Sequence, residues 1–514
     1  MLLDMRQKNL TKAEHHSSPK EVNYLLTQYE LADDLLSMSL TQNDIANMQI
    51  AENGTPTMAD IIEDLIESHD TSFMQQGVNY YFNRNDIKDR QIYYWKNGEK
   101  IVDETATNNR IPHGWHKLLV DQKANYLVGK PVTFNAKETS GKDEEQTDTE
   151  RFVDFINDIL GDQFNDDLWE LTKNASNKGV EWLHPYINSG GEFNYAVIDG
   201  REVIPIWETS KQNKLQAVIR YYYMNVNGDE RIRAEYWTQD RKEIYQENNQ
   251  GVYQIIEEGP HFRYNNEAQS WGKVPFVAFK NNEEMFSDLI NYKELIDDYD
   301  LNVSDLSNDL AELQEAIWVL KNYQGESLEE FQDNLRKYKA LKTDGDGGAE
   351  TITLDIPIKA KDSHLDRLEE NIYTFGQGVN TKTDKFGNSP SGIALKFMYS
   401  LLDLKADKTE RKFKRAIKKF LWFIAEYLKY KEKQEFDPDS IQTTFNKSML
   451  INESEKIDSA NKSKGVISDE TLVANHPWVD DPQKEMDRLE EQENNADIFG
   501  DRIAQELGIE EGEI

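Results

Sequence analysis

Leu289, Tyr292, Ile296, Tyr299, Val303, Leu306, Leu310, Leu313, Ile317 and Leu320 stand at alternating steps of three and four residues. That spacing puts all ten on one seam of a helix and demands a second helix to cover it. A helix over the whole ladder would be about 48 Å long at 1.5 Å per residue. Leu365, Leu368, Ile372, Phe375 and Val379 repeat the same steps, so a second helix can run back alongside the first. The last rungs fall in Ile317-Trp318-Val319-Leu320, which suits a strand as well as a helical turn, so the first helix is expected to end near Glu315. An ordinary helical hairpin inside a large domain would carry the same ladder, and the seam alone does not specify a function.

The 514-residue chain is long enough for several domains, and 38% hydrophobic residues suffice for real cores. It contains no cysteine, which excludes disulfides, thiolate metal ligands and a cysteine nucleophile and fits a reducing compartment. Charged residues interrupt the start from Met1 to Leu10, and no run of 18 apolar residues occurs, so neither a signal peptide nor a membrane span is expected. The net charge of −36 argues against a protein that grips nucleic acid through a basic face, but not against one that touches DNA without holding it.

Along the chain, Glu21 to Met38 and Met58 to Ile66 read as peripheral helices, and Tyr80 to Trp95 is rich in aromatic residues. Trp115, Leu118, Leu119, Gln122 and Tyr126 predict a helix stopped by Gly129 and Pro131. Apolar positions from Phe152 to Leu171 are helical with a break around Gly161. The period then becomes two: Ala217 to Tyr223, Ile232 to Thr238, Val252 to Ile256 and Val274 to Phe279 predict an antiparallel meander in an α+β domain. Between the seam helices, Ser327 and Glu330 form a capping box for a helix with Leu328, Phe331, Leu335 and Tyr338 on one face. A turn at Gly345 to Gly348 and an alternating strand of Ile352, Leu354 and Ile356 follow, ended by Pro357. The second seam helix is expected to reach Asn380. A polar loop, Thr381 to Gly392, carries Lys382, Lys385 and Asn388; Ser389 and Pro390 then restart a helix with Ala394, Phe397, Met398, Leu401 and Leu402. A separate helix is expected from Thr409 to Tyr430, and the end from about Asp480 is acidic and weakly patterned.

Catalytic and ligand-binding motifs are weak. Val128-Gly129-Lys130-Pro131 lacks the surrounding pattern of a phosphate loop. His113 and His116 lie three apart without a third metal ligand, which makes them packing or surface residues. Asp344, Asp346 and Asp355 fit positions 1, 3 and 12 of a calcium loop, but Ala349 stands where the sharp turn needs glycine, so a hairpin turn is the better account. Carboxylates are too abundant to assign an acid/base pair. The expectation is a protein with no enzymatic activity, cofactor or metal.

The order of parts, α+β domain, long helix, small αβ insertion, returning helix, lysine-bearing loop, restarted helix and helical end, resembles that of the portal proteins of tailed double-stranded DNA bacteriophages, of the long-tailed siphovirus type. Local strings carry the resemblance along the chain: Asn109-Arg110-Ile111 with Leu119-Val120-Asp121; Tyr126 to Val132; Leu295 to Asp300; Ser304-Asp305 with Asn308-Asp309-Leu310; Ser391 to Lys396; and Ile467 to Thr471 followed by Asp480-Asp481-Pro482.

The resemblance implies a helix-rich α+β portal architecture assembled as a ring, a dodecamer, at one capsid vertex, through which DNA is packaged and ejected. It implies peripheral helices over 1–75, a wing over 76–282, a stem of helices over 283–315 and 358–380, and a clip over 316–357. It further implies a tunnel loop over 381–392, a tunnel helix over 393–408, a crown over 409–480 and an acidic tail over 481–514. Lys382, Lys385 and Asn388 would then face DNA in the channel, while Leu289, Ile296, Val303, Leu306, Leu310 and Leu313 would form the stem seam. Implied partners are further copies of the chain, double-stranded DNA, the terminase motor, a head-completion or tail adaptor, and the major capsid and scaffold proteins, without a membrane. The implied location is the virion, with assembly in the bacterial host cytoplasm.

Two other classes compete. A nucleic-acid-processing enzyme of a packaging complex is disfavoured because the phosphate loop is missing and no acid cluster has metal spacing. A scaffold or adaptor would use the hairpin as a coiled-coil arm.

Overall fold

The structure is a computed structural model that describes residues 40–41, 57–137, 148–208, 214–226, 228–264, 267–312, 317–321, 348–352, 357–382, 392–448, 457, 460–474, 476, 478–479, 482–490 and 492. Its contacts divide the chain into two units, Met1–Gly378 with Leu404–Lys447, and Val379–Asp403 with Ser448–Ile514. Outside the described residues lie the expected helix from Glu21 to Met38, the insertion helix with Leu328, Phe331, Leu335 and Tyr338, and the strand positions Leu354 and Ile356. Leu313, Lys385, Asn388, Ser389, Pro390 and the aspartates 344, 346 and 355 lie outside them as well.

In the first unit, strand β1 (Leu40–Thr41) precedes helix α1 (Met58–Glu67). Thr57 opens α1 with a capping box: its backbone N–H donates to Asp60 Oδ2 at 2.7 Å and its Oγ1 accepts from the Asp60 N–H at 3.3 Å. Ile61, Ile62 and Leu65 form the buried stripe of α1. Helix α2 (Ser72–Tyr81) follows, then a hairpin of β2 (Tyr93–Lys96) and β3 (Glu99–Val102). Asn97 and Gly98 both have positive φ, the conformation that matches a two-residue turn to the strand twist.

Helix α3 (Trp115–Val128) ends at Gly129, as its sequence predicts. Strand β4 (Thr133–Ala136) leads into α4 (Asp148–Leu160) and α5 (Gln163–Lys178), which are separated at Gly161 by a left-handed φ of 55°. Gly77 of α2 meets α5 so closely that a Cβ there would sit 1.9 Å from the Asn177 carbonyl oxygen.

Two sheets then build the core. Strands β5 (Val180–Ile187), β6 (Phe193–Ile198) and β14 (Val277–Lys280) form an antiparallel sheet in the order β14-β5-β6. The larger sheet holds β7 (Val203–Trp207), β8 (Leu215–Val226), β9 (Asp229–Trp237), β10 (Lys242–Glu247) and β11 (Tyr253–Gly259) as an antiparallel meander, with β1 added in parallel beside β7. Alternation along these strands feeds two cores. One joins Val180 and Trp182 to Trp207, Val218, Trp237 and Phe276. The other joins Ile204, Ile206, Ala217, Ile219 and Ala234 to the stripe of α1. The short strands β12 (Phe262–Tyr264) and β13 (Glu267–Gln269) pair with each other.

After a 3-10 turn, Asp288–Asn291, helix α6 (Lys293–Glu312) carries five of the ten ladder residues, Ile296, Tyr299, Val303, Leu306 and Leu310. Strand β15 (Ile317–Lys321) pairs antiparallel with β16 (Gly348–Ile352), so Ile317 and Leu320 belong to a sheet. This second strand begins at Gly348, where the sequence suggests the end of a turn. Helix α7 (Ile358–Phe375) stops earlier than Asn380: Gln377 takes a left-handed φ of 55° and the Gly378 N–H caps the Tyr373 carbonyl at 2.9 Å, while a Cβ on Gly378 would lie 2.3 Å from Leu119 Cδ2.

Helix α8 (Gly392–Lys431) runs without the break expected near Thr409. Nothing between Leu402 and Thr409 is glycine or proline, and Thr409 bonds back to the Lys405 carbonyl, a contact made inside a helix. Within the first unit α8 buries Phe413, Ile417, Phe420, Leu421, Ile424 and Leu428. Phe420 stacks on Phe164 at 6.0 Å, and Phe413 meets Phe279 edge-on at 5.0 Å. Strand β17 (Ile441–Thr444) closes the unit by pairing with β4. The second unit includes the first part of α8 and the short helix α9 (Asp469–Ala474). Among the described residues no helix is long and apolar enough to cross a membrane.

Candidate functional site

The seam of α6 changes character along its length. Leu289, Tyr292 and Ile296 pack with Tyr80 of α2, Leu119 of α3 and Ile372 of α7 in one buried cluster. Beyond Tyr299, Val303 and Leu306 are half-buried and Leu310 is 49% exposed, while Leu313 lies outside the described residues. The neighbouring α7 exposes Ile358 and Phe375. Lys361 and His364 of α7 reach Asp309 and Asp298 of α6, so polar contacts take over where the apolar seam opens.

A second face of α6 is polar and buried. Asp300, Ser304 and Asn308, four residues apart, accept the backbone N–H groups of His113, Ile111 and Asn109 at 2.9, 3.1 and 2.7 Å. Four helical residues rise about 6 Å and two extended residues about 6.6 Å, so a helix with a polar group every fourth residue matches an extended strap with an N–H every second residue. Asp300 is fully buried and also takes Nδ2 of Asn85 at 2.6 Å and the His113 ring Nδ1 at 2.7 Å. Arg90 binds Asp305 at 2.5 Å beside this ladder. The strings Asn109-Arg110-Ile111 and Ser304-Asp305 with Asn308 are therefore two sides of one contact. Their spacing of two against four is the signal in the sequence, and a search for apolar periodicity passes over it.

A buried charge knot holds the root of the hairpin. Asp288, in the turn before α6, receives Lys123 Nζ of α3 at 3.1 Å and Lys405 Nζ of α8 at 3.0 Å, both on Oδ2. Asn281 donates to its other oxygen at 2.9 Å and also meets Lys123. Lys405 donates to the Gly376 carbonyl at 3.0 Å, satisfying an orphan acceptor at the end of α7. Burial alone would raise the Asp288 carboxyl, but Lys123 and Lys405 hold it far below the usual range. Burial pulls Lys123 down to about 8 against the attraction of Asp288. His116, which pairs with Tyr292 through Nδ1 at 2.8 Å, is lowered by burial to about 3 and stays neutral. These charges are one another's partners, an arrangement that locks α3, α6, α7 and α8 together in place of activating a substrate.

Of the expected channel residues, Lys382 is exposed and its backbone N–H donates to Asn380 Oδ1 at 3.0 Å; Lys385 and Asn388 lie outside the described residues. The structure thus brings Leu289 and Ile296 together in one core and places Val303, Leu306 and Leu310 along a progressively open face.

The site is thus a helical hairpin on an α+β body, its apolar seam closed at the root and more exposed towards Leu310. Comparisons with known proteins identify the family. The chain is 39% identical over 472 residues to the portal protein of Bacillus phage SPP1, covering 90% of this chain and 91% of that one. It is 34% identical over 449 residues to the portal protein of Clostridium phage phiCD119, covering 83% and 94%. The profile of the family described as phage portal protein, SPP1 Gp6-like, matches residues 62–498, and the chain belongs to that family. The family is structural, its function is a portal channel for phage DNA packaging, and its place is the virion capsid.

Proposed function

We propose that copies of this chain assemble into a ring, a dodecamer, whose hairpins α6 and α7 line up as staves of the wall through which DNA is packaged and ejected. The observation that carries this reading is the seam: one protomer covers Leu289 and Ile296 but leaves Leu310, Ile358 and Phe375 to solvent. Neighbouring copies would bury that face around a closed ring. In this arrangement residues 76–282 are the wing, 283–315 and 358–380 the stem, 316–357 the clip that meets the terminase motor and then the tail adaptor, and 409–480 the crown. Residues 1–75 lie at the periphery and 481–514 form an acidic tail. Capsid and scaffold proteins contact the ring during assembly in the host cytoplasm.

The net charge of −36 per copy suits a wall that repels phosphate and lets DNA slide. The loop 381–392, with Lys382, Lys385 and Asn388, and the following helix over 393–408 form the constriction, where a few cations touch the backbone. The test is the double variant Lys382→Glu with Lys385→Glu in a packaging assay. Packaged DNA should fall while rings still form; undiminished packaging would remove these lysines from the channel.

A further inference from the structure

In a chain of net charge −36, the stretch Lys405–Lys419 holds eight lysines and arginines and only two acids, Asp407 and Glu410. Those acids are occupied, Asp407 by Lys447 and Glu410 by Lys414 and Lys447. Lys412, Arg415 and Lys419 lie at helical steps of three and four, so they share one face of α8 with Ala416 between them. The edge contact of Phe413 with Phe279 sets that face against the end of β14, where Lys280 projects over the Trp207 ring at 4.7 Å. Trp207, Ala278, Lys280, Glu283, Lys412, Arg415, Ala416 and Lys419 enclose a cleft of about 340 Å³.

The charges in this cleft do not balance. Glu283 is the one carboxylate among the lining residues, and it pairs with Lys412. Lys280, Arg415 and Lys419 have no ion pair or side-chain hydrogen-bond partner among the described residues. Burial and the approach of Lys412, Lys419 and Arg415 pull Lys280 down to about 8. Lys280, Arg415 and Lys419 thus bring three positive charges without a carboxylate partner to one small concavity, which suits a polyvalent acceptor.

We propose that the cleft between β14 and α8 is a phosphate-binding site, with Lys280, Arg415 and Lys419 as its cationic ligands. A tetrahedral oxyanion offers several acceptors at once and carries the charge that the cluster lacks. Arg415 supplies a planar fork suited to two oxygens, and the lysines supply point charges. The phosphoryl group can belong to a nucleic-acid backbone or to free phosphate, and the two sources are separable by experiment.

The test uses the full-length protein, titrated with inorganic phosphate at constant ionic strength with chloride as the balancing anion. Acylation of Lys280 near pH 8 is followed by peptide mass spectrometry. Bound phosphate should raise the Lys280 pKa and protect its amine, with protection saturating. In Arg415→Gln with Lys419→Gln the half-saturating phosphate should rise by about tenfold or more, while the melting temperature holds or increases as like charges are removed. A second readout, calorimetric titration of phosphate into Lys280→Gln, should show the same weakening. Protection of Lys280 by a short DNA duplex at low phosphate assigns the site to a polynucleotide backbone; protection by phosphate with none by duplex assigns it to the free ion. No protection by either, or protection unchanged in the double variant, overturns the site.

Discussion

Asp300 takes two hydrogen bonds from one residue, His113: the backbone N–H at 2.9 Å and the ring Nδ1 at 2.7 Å. A carboxylate only accepts, so Nδ1 carries the proton, and the strap 109–113 is held to α6 by side chain and main chain together. Asp300 is thus the anchor of the ladder that Ser304 and Asn308 continue.

Removing that anchor leaves the His113 N–H and one of the two Asn85 amide hydrogens without an acceptor, while the other still donates to the His113 carbonyl at 3.1 Å. Asp300→Ala should cost about 2–4 kcal/mol, against about 1 kcal/mol for Ser304→Ala, which releases a single backbone N–H. Denaturant midpoints of the two variants check the order. Equal, small losses would mean that the strap is not held by the ladder.

At the root of the hairpin, Asp288→Asn leaves Lys123 and Lys405 in a buried site without their shared anion. The loss should be about 3–5 kcal/mol, since an uncompensated buried charge costs more than the pair contributes. Adding Lys405→Met should restore part of that loss. Unfolding measurements on both singles and the double give the coupling, and strict additivity would contradict a shared charge knot.

Burial holds both His116 and His184 down to about 3, from an ordinary value of 6.5. Between those values the unfolded chain binds protons that the folded chain refuses. The stability these two groups contribute is complete above pH 6.5 and is lost as pH falls towards 3, by up to about 1.4 kcal/mol per pH unit for each. Unfolding midpoints measured from pH 7 to 4 should fall, and His116→Gln should flatten the slope by one proton's worth. An unchanged slope would show that His116 titrates normally.

Much of the fold was legible because glycine and periodicity act locally. Gly129 ends α3, Gly161 separates α4 from α5, and Ile317 leaves the helical ladder for a strand, as their local sequence suggests. The errors came from tertiary contacts. The seam pattern continues through Val379, yet α7 ends at Phe375 because Gln377 turns left-handed and Gly378 caps the Tyr373 carbonyl, with Gly376 and Gly378 packed close on Leu119. The join between Leu402 and Thr409 reads as a gap between two apolar stripes, but buried Ala406 and Lys405 fill it with helix. Apolar spacing also hid the polar face: Asp300, Ser304 and Asn308 look like solvated positions until the strap covers them. Lys405–Lys419 shows a local excess of positive charge that the overall charge of −36 conceals.

Assembly is the central claim, and images of the purified protein test it most directly. Negative-stain electron microscopy at high protein concentration with divalent cations should show rings with a central hole. A uniform population of monomers of 59.8 kDa under those conditions would contradict the account.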